Sequence, residues 1–150
     1  SNQKFLGVGL DLSTEALNVA KKNADRFKIK DNIRFIKSNW FENIYEKFDI
    51  IISNPPYIPL KQIKNLESEV KDYDPFMAIN GGEYGVHHYL EISKNAKFFL
   101  NKNGFICVEI YSKNYEKIRD IFLADGFFQI GTFKDLNGSI RNIVFSLKKK

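Results

Sequence analysis

Runs of aliphatic residues along the chain predict the strands of a buried sheet. The first run extends from Phe5 to Leu10 and stops at Asp11, and a shorter alternating one surrounds Ile33 to Ile36. Ile50-Ile51-Ile52 is nearly continuous, as is typical of a parallel strand that is covered on both faces. The stretch "GFICVEI" predicts a further strand with the same character.

Helical spacing of apolar residues separates these runs. Ser13 is a suitable N-cap for a first helix, and a second helix is predicted from about His87 to Leu100. A third helix is predicted around Tyr115 to Phe122. The apolar positions of the first two helices are Ala16, Leu17, Ala20, Ala24 and Phe27, then Tyr89, Ile92, Ala96 and Phe99.

The order of these elements predicts an α/β fold. Strands that alternate with helices imply parallel neighbours and right-handed crossovers, hence a mostly parallel, Rossmann-like sheet. The last two strands, "FFQIGTF" and "RNIVFSL", are joined by the turn-rich "KDLNGS" and predict an antiparallel hairpin at one edge. Residues 58–85 predict a long irregular loop, and loops of that length are usually functional.

Composition narrows the class of protein. The 150 residues fit one domain, and the net charge of +5 permits a nucleic-acid partner without requiring one. The single cysteine, Cys107, suits a reducing cytoplasm, and no apolar run is long enough to predict a membrane span. No signal peptide is expected, since the sequence opens directly into a strand-like pattern. No metal site is predicted, because the adjacent pair His87-His88 lacks ligand spacing.

Polar residues follow three of the predicted strands: Asp11, Asn39 and Asn54. In a parallel sheet all three would face one crevice, where α/β folds bind their ligands. A carboxylate at Asp11 suits the hydroxyl groups of a ribose, but it would equally help to start the following helix. Both interpretations stay open.

The tetrapeptide Asn54-Pro55-Pro56-Tyr57 is the most specific chemical signal in the chain. Proline has no N–H, so the segment offers carbonyl oxygens without competing donors. The Asn54 side-chain oxygen and a neighbouring carbonyl can hold both hydrogens of an –NH2 group, and the Tyr57 ring can cover its planar face. An Asn-Pro turn alone would be unremarkable, whereas the whole tetrapeptide after a buried strand predicts a site for a weakly nucleophilic nitrogen.

The chain also resembles a known family over nearly its whole length. "NPPY" after an aliphatic strand is similar to a motif of S-adenosylmethionine-dependent methyltransferases that act on planar nitrogens. Three further stretches resemble the glutamine methyltransferases of peptide chain release factors. They are Asp74-Pro75 with Ala78-Ile79-Asn80-Gly81-Gly82, the strand ending Glu109-Ile110, and the closing pattern with Asp135, Gly138 and Arg141.

The resemblance implies roles for particular residues. The target amide would be held by Asn54 and the Pro55 carbonyl. Pro56 and Tyr57 continue the site, and the Tyr57 ring would cover the amide. S-adenosylmethionine would be the cofactor, bound by Asp11 with its neighbour Leu12, by Asn39 and Trp40, and by Asn54 at the junction of the two ligands. Asn39 stands where the family has an acidic residue, and its amide oxygen can accept the same hydrogen bond. Glu109 is a weaker candidate, for which a structural role is at least as plausible.

One feature of the family has no counterpart here. Its cofactor loop is glycine-rich and follows the first strand, whereas Gly7-Val8-Gly9 lies inside a strand that matches the family's second. We therefore expect residues 1–150 to form part of a catalytic domain, with the first strand, its loop and the N-terminal helical domain missing. Two strands would then lack a neighbour, which predicts a rearranged sheet, strand exchange between copies or marginal stability.

These observations favour methyl transfer to a glutamine side chain of a release factor, in its Gly-Gly-Gln loop, with neither a membrane nor a nucleic acid required. An adenine-N6 methyltransferase acting on DNA or RNA is the alternative enzyme, since the same acceptors would hold an exocyclic amine. A non-catalytic fragment with a partial cofactor site is the third hypothesis.

Overall fold

A computed structural model describes residues 5–63 and 76–147 of the chain. The chain divides into two compact units, residues 1–45 and residues 46–150, and each is described by itself. Asp74-Pro75 lies outside the described residues.

The N-terminal unit is a strand, a helix and a second strand. Strand β1 (Gly7–Asp11) pairs in parallel with β2 (Ile33–Lys37), and the helix α1 (Thr14–Arg26) connects them. Ser13 caps α1 as predicted, since its Oγ accepts the Ala16 N–H at 3.1 Å. Lys30–Asn32 form a short 3-10 turn before β2.

Two details of this unit differ from the prediction. Phe27 follows the last residue of α1 and is 69% exposed, so it does not extend the buried stripe. Strand β2 ends at Lys37, two residues before Asn39, where the chain bends. The glycines of β1 serve packing: a Cβ on Gly9 would lie 2.7 Å from the Phe35 ring in β2.

The C-terminal unit has a four-stranded sheet in the order β3-β4-β6-β5. Its strands are β3 (Phe48–Ser53), β4 (Leu100–Glu109), β5 (Phe127–Lys134) and β6 (Ile140–Leu147). Strands β3 and β4 are parallel, and β6 is antiparallel to both β4 and β5, which confirms the predicted hairpin. The described residues thus form two sheets, where the order of elements predicted one sheet and the resemblance predicted two strands without a neighbour.

Four helices lie in the described part of this unit. The one-turn helices α2 (Leu60–Ile63) and α3 (Phe76–Ile79) lie within the predicted irregular loop, so its described parts are more regular than expected. Helices α4 (His87–Phe99) and α5 (Tyr115–Ala124) match their predictions closely. The short 3-10 turn Ser112–Asn114 leads into α5.

The core of this unit is aromatic and aliphatic. Phe122 of α5 stacks on Phe145 of β6, with ring centroids 4.3 Å apart, and meets Phe127 edge to face at 5.4 Å. All three side chains are fully buried. This packing fixes α5 on strands β5 and β6. Within the described part of the chain, no helix is long and apolar enough to cross a membrane.

Candidate active site

The tetrapeptide Asn54-Pro55-Pro56-Tyr57 follows β3 directly and lines a cavity of about 320 Å³. Pro55 is fully buried, whereas Asn54 is exposed at the mouth. The other lining residues are Ile58, Ala78 and Ile79. The structure therefore gathers the four residues of the motif around one space large enough for a small planar group.

Backbone pairing holds the chain beyond the tetrapeptide in place. The Ile58 N–H donates to the Ile79 carbonyl at 3.1 Å, and the Gly81 N–H donates to the Ile58 carbonyl at 2.9 Å. This isolated parallel bridge ties the exit of the motif to the segment that the sequence analysis noted for its two glycines. Since prolines cannot donate, the first backbone donors after the motif are used for this anchoring.

Two glycines allow residues 80–85 to pack closely against the backbone of Tyr57. Gly85 has φ +71°, and a Cβ there would collide with the Tyr57 carbonyl oxygen. A Cβ on Gly81 would come within 2.8 Å of the Tyr57 backbone. The glycines were noticed in the sequence as part of a resemblance, but their role as a close backing for Tyr57 depends on tertiary contact.

Two side chains that the sequence analysis did not select complete this backing. The His88 Nε2 lies 3.0 Å from the Asn80 carbonyl oxygen, and the Asn114 Nδ2 donates to the Tyr84 carbonyl at 3.1 Å. Asn114 is only 8% exposed. No local signal marks either residue, because each acts on a segment distant in sequence.

The Tyr57 ring has two partners beyond its own segment. Its ring is parallel within 10° to that of Tyr111, with centroids 6.5 Å apart, and the charge of Glu109 acts on its hydroxyl. Burial, and next the charge of Glu109, raise the pKa of the Tyr57 phenol above its ordinary value, while Arg141 acts in the opposite direction. The phenol is therefore protonated at neutral pH.

The β5–β6 turn lies at the same end of the sheet as the tetrapeptide, because β6 is antiparallel to β4. Asp135 Oδ1 accepts the N–H groups of Asn137 and Ser139 at 2.9 Å, and its Oδ2 accepts from Arg141 Nε at 3.0 Å. These bonds, that of Ser139 first, lower the pKa of Asp135 below its ordinary value. The closing pattern of the sequence thus builds a fixed turn.

In the N-terminal unit, Asp11 and Asn39 lie at the same edge of the β1–β2 pair. Asp11 Oδ1 accepts the Ser13 N–H at 2.7 Å, which is the helix-starting role left open above. Its Oδ2 has no hydrogen-bond partner among the described residues, and the side chain is exposed, so the same carboxylate can still accept a bond from a ligand. Leu12 beside it is 47% exposed.

The loop after β2 is organised by Ser38, which the sequence analysis did not select. Its N–H donates to the Asp11 carbonyl at 3.0 Å, and its hydroxyl donates to the Trp40 carbonyl at 2.9 Å. Asn39 Nδ2 donates to Glu42 at 2.7 Å, which leaves its amide oxygen oriented as an acceptor. Trp40 adopts a left-handed backbone conformation, with φ 49°.

Each unit thus carries its own cluster: Asp11, Asn39 and Trp40 in one, and the tetrapeptide with Glu109 in the other. Among residues 5–63 and 76–147, no group of three or more His, Cys, Asp or Glu side chains is placed to hold a metal ion.

A methyltransferase domain family matches residues 2–125 of the chain. The chain belongs to this family. The domain is 41% identical over 140 residues to a bifunctional methyltransferase of Rickettsia felis, an alignment that covers 93% of the chain and 27% of that protein. It is 40% identical over 139 residues to a release factor glutamine methyltransferase of Agrobacterium fabrum, covering 93% of the chain and 48% of that protein.

This methyltransferase domain therefore spans about half, or less, of the length of these relatives. Among solved structures, it resembles a ribosomal protein L11 methylase of Lactobacillus delbrueckii, with a TM-score of 0.65 and 18% identity, covering 95% of the chain and 57% of that structure. The likeness confirms the predicted Rossmann-like, class I methyltransferase fold.

Proposed function

We propose that this domain transfers a methyl group from S-adenosylmethionine to a glutamine side-chain amide nitrogen of a peptide chain release factor. The observation that carries the proposal is the cavity lined by all four residues of Asn54-Pro55-Pro56-Tyr57. The support for this substrate is the 40% identity to a release factor glutamine methyltransferase. Such a substrate would place the reaction in the cytoplasm.

The tetrapeptide suits the target amide. An amide nitrogen is a poor nucleophile, so the protein must fix its position and orientation. The Asn54 oxygen and the Pro55 carbonyl would accept its two hydrogens, and the Tyr57 ring would cover its planar face. Fixing a nucleophile in this way can supply several kcal/mol of the barrier reduction.

Residues of the N-terminal unit fit part of S-adenosylmethionine. The exposed Asp11 carboxylate has an oxygen available for ribose hydroxyls, and Asn39 has an amide oxygen available for the adenine amine. Leu12 and Trp40 would contact the base from the sides. The glycines of β1 pack against β2 instead of forming a loop, so these residues account for the nucleoside part of the cofactor alone.

S-adenosylmethionine supplies an electrophilic methyl group on a sulfonium. The chain's own residues would orient the amide nitrogen towards that carbon, and the proton released from nitrogen would pass to water. Within the described residues, no step calls for a metal ion.

Methyl transfer from labelled S-adenosylmethionine tests the proposal. The acceptors are a purified release factor, the same factor with its Gly-Gly-Gln glutamine changed to alanine, and DNA and RNA as competing substrates. We expect the label only on the release factor that retains this glutamine. Asn54→Ala should reduce the rate about a hundredfold, since a misplaced nucleophile has an effect of that order.

The control for this assay is Asn95→Ala, which removes an exposed amide from α4 whose bonds among the described residues are to Glu91. Its rate should match the wild type. Labelling of nucleic acid would support the adenine-N6 alternative instead. Equal labelling of the two release factors, or none of either, would contradict the proposed function.

A further inference from the structure

The carboxyl end of β4 is anchored to the core from two sides. The Glu109 carbonyl accepts a hydrogen bond of 2.7 Å from the hydroxyl of Tyr89, which is fully buried in α4. The Ile110 N–H donates to the Arg141 carbonyl at 2.8 Å, and the Ile110 side chain is fully buried as well. The next residue, Tyr111, therefore leaves the sheet from a fixed backbone position.

The turn that begins at Tyr111 is closed by Asn114. The Asn114 N–H donates to the Tyr111 carbonyl at 2.8 Å, and its side-chain nitrogen donates to the Tyr84 carbonyl at 3.1 Å. The same nitrogen lies 3.0 Å from the position that a Cβ on Gly85 would occupy. One end of the turn is thus packed on the segment that lies against the Tyr57 backbone.

The other end of the turn meets the Tyr57 ring. The rings of Tyr57 and Tyr111 are parallel within 10° and their centroids are 6.5 Å apart, a separation within the range of offset-stacked aromatic pairs. The described residues that line the cavity of the tetrapeptide include Tyr57 but not Tyr111. Tyr111 therefore supports the Tyr57 ring from outside the cavity.

Stacking at this point restricts the orientation of the Tyr57 ring. A tyrosine side chain rotates about two torsions, χ1 and χ2. The backbone of Tyr57 is restrained by its close contacts with Gly81 and Gly85, so the orientation of the ring depends on what packs against the ring itself. Tyr111 supplies such a contact, and its own ring carries a cation–π contact with Lys113, whose Nζ lies 5.8 Å from the centroid.

We propose that Tyr111 is a positioning residue, which stacks on the Tyr57 ring and holds it in the orientation that covers the target amide. The inference rests on the proposed function for the identity of the target, but the ring contact itself does not. Tyr111 is assigned no contact with the target or the methyl donor and acts through Tyr57. The sequence analysis did not select it, because the contact joins two distant segments of the chain.

The stacking is tested by NMR on this chain with labelled tyrosine rings, using Tyr57→Phe and Tyr111→Phe to assign the signals. We expect a nuclear Overhauser effect between the ring protons of Tyr57 and Tyr111, because centroids 6.5 Å apart bring the ring edges close together. Three-bond couplings should report one χ1 rotamer for Tyr57 in the wild type and in Tyr111→Phe, and averaging between rotamers in Tyr111→Leu.

The control is Tyr45→Leu, the same change at a tyrosine of the N-terminal unit that is 91% exposed, and it should leave the Tyr57 couplings unchanged. A single Tyr57 rotamer in Tyr111→Leu would overturn the proposal. So would the absence of the Overhauser effect in the wild type, a measurement that decides the contact even if Tyr111→Leu does not fold.

Methyl transfer to the release factor provides the second arm. Tyr111→Leu should lower kcat about two- to tenfold, the factor expected for a lost aromatic pair, and leave KM for S-adenosylmethionine unchanged. Tyr111→Phe keeps the ring and should retain most of the rate. In a Tyr57→Ala background, Tyr111→Leu should cause no further loss, since its effect passes through the Tyr57 ring.

An equal loss with and without the Tyr57 ring would contradict a shared role. If the wild type transfers no methyl group to the factor, the proposed function fails. The Overhauser effect and the couplings then still decide whether Tyr111 orients Tyr57.

Discussion

The two units of the chain differ most in how much core supports their candidate residues. In the described part of the N-terminal unit, three apolar side chains are buried: Leu17, Ala24 and Ile44. The described part of the C-terminal unit buries fifteen around four strands. A two-stranded sheet is marginal by itself, so the residues proposed for the cofactor belong to the weaker unit and those for the target to the stronger.

This difference matters for function, because binding that favours the folded state stabilises the part it touches. The target site is organised by packing that needs no ligand, since Gly85 lies against the Tyr57 backbone and Asn114 holds the neighbouring Tyr84 carbonyl. The cofactor residues depend on a few hydrogen bonds around Ser38 and Ser13. We therefore expect S-adenosylmethionine to stabilise the cofactor site more than a release factor stabilises the target site.

The largest expected difference between the two units is in the free energy of unfolding lost when a phenylalanine in each is replaced by alanine. Phe122→Ala removes a fully buried ring that stacks on Phe145, and should lower the free energy of unfolding by about 3–5 kcal/mol. Phe27→Ala removes a ring that is 69% exposed and should change it by less than about 0.5 kcal/mol. Urea denaturation followed by circular dichroism measures both.

Fluorescence of Trp40, the single tryptophan of the chain, reports on the N-terminal unit in the same experiment. If the units differ in stability as their cores suggest, the Trp40 transition precedes the circular dichroism transition in the wild type. Coincident transitions would mean that the chain unfolds as one cooperative body, and the comparison would fail.

A smaller effect is expected at the backing of Tyr57. Gly85→Ala introduces a Cβ that collides with the Tyr57 carbonyl at φ +71°, and should cost about 2–5 kcal/mol from backbone strain and overpacking together. Gly126→Ala is the matched control: its φ is +92° and nothing lies within 4 Å, so strain alone should cost about 1–2 kcal/mol. Equal losses of unfolding free energy in the two variants would show that the contact with Tyr57 does not contribute to stability.

The smallest effect concerns acid stability. The pKa of Asp135 is lowered in the folded chain from its ordinary value of 3.8. The ionised carboxylate therefore stabilises the fold at pH values above 3.8, and this contribution is lost as the pH falls through the pKa of the folded state. The urea midpoint should therefore decline below about pH 4, and less steeply in Asp135→Asn. Glu15 of α1 also has a lowered pKa but lies in open solvent, so Glu15→Gln should change the decline less. A larger change in Glu15→Gln would reverse this assignment.

Much of the fold could be predicted because the relevant signals are local. The Ser13 cap, helices α4 and α5 and the β5–β6 hairpin follow from spacing and turn residues alone. The tetrapeptide was recognisable because its chemistry is contained in four consecutive residues. The division of the described residues into two sheets agrees with the prediction that two strands lack a neighbour, although the pattern of strands alone predicted one sheet.

The supporting residues of the site were beyond sequence reasoning for a physical reason. Asn114 bonds to the Tyr84 carbonyl across 30 positions of sequence, and Ser38 joins β1 to the loop after β2. No pattern of one segment encodes such a contact. The strand exchange and low stability inferred from an absent first strand stay predictions. Among the described residues, β1 is paired only with β2, and β3 only with β4.

The most direct test of this account is an amide NMR map of the chain during titration with S-adenosylmethionine. We expect the largest shifts at Asp11, Leu12 and the loop from Ser38 to Asn43, with a smaller one at Asn54 and none along β5. Asp11→Ala should weaken the response, whereas Asp31→Ala, on the 3-10 turn before β2, should not. Shifts confined to the hairpin of β5 and β6, or none at millimolar cofactor, would contradict the assignment of the cofactor to the N-terminal unit.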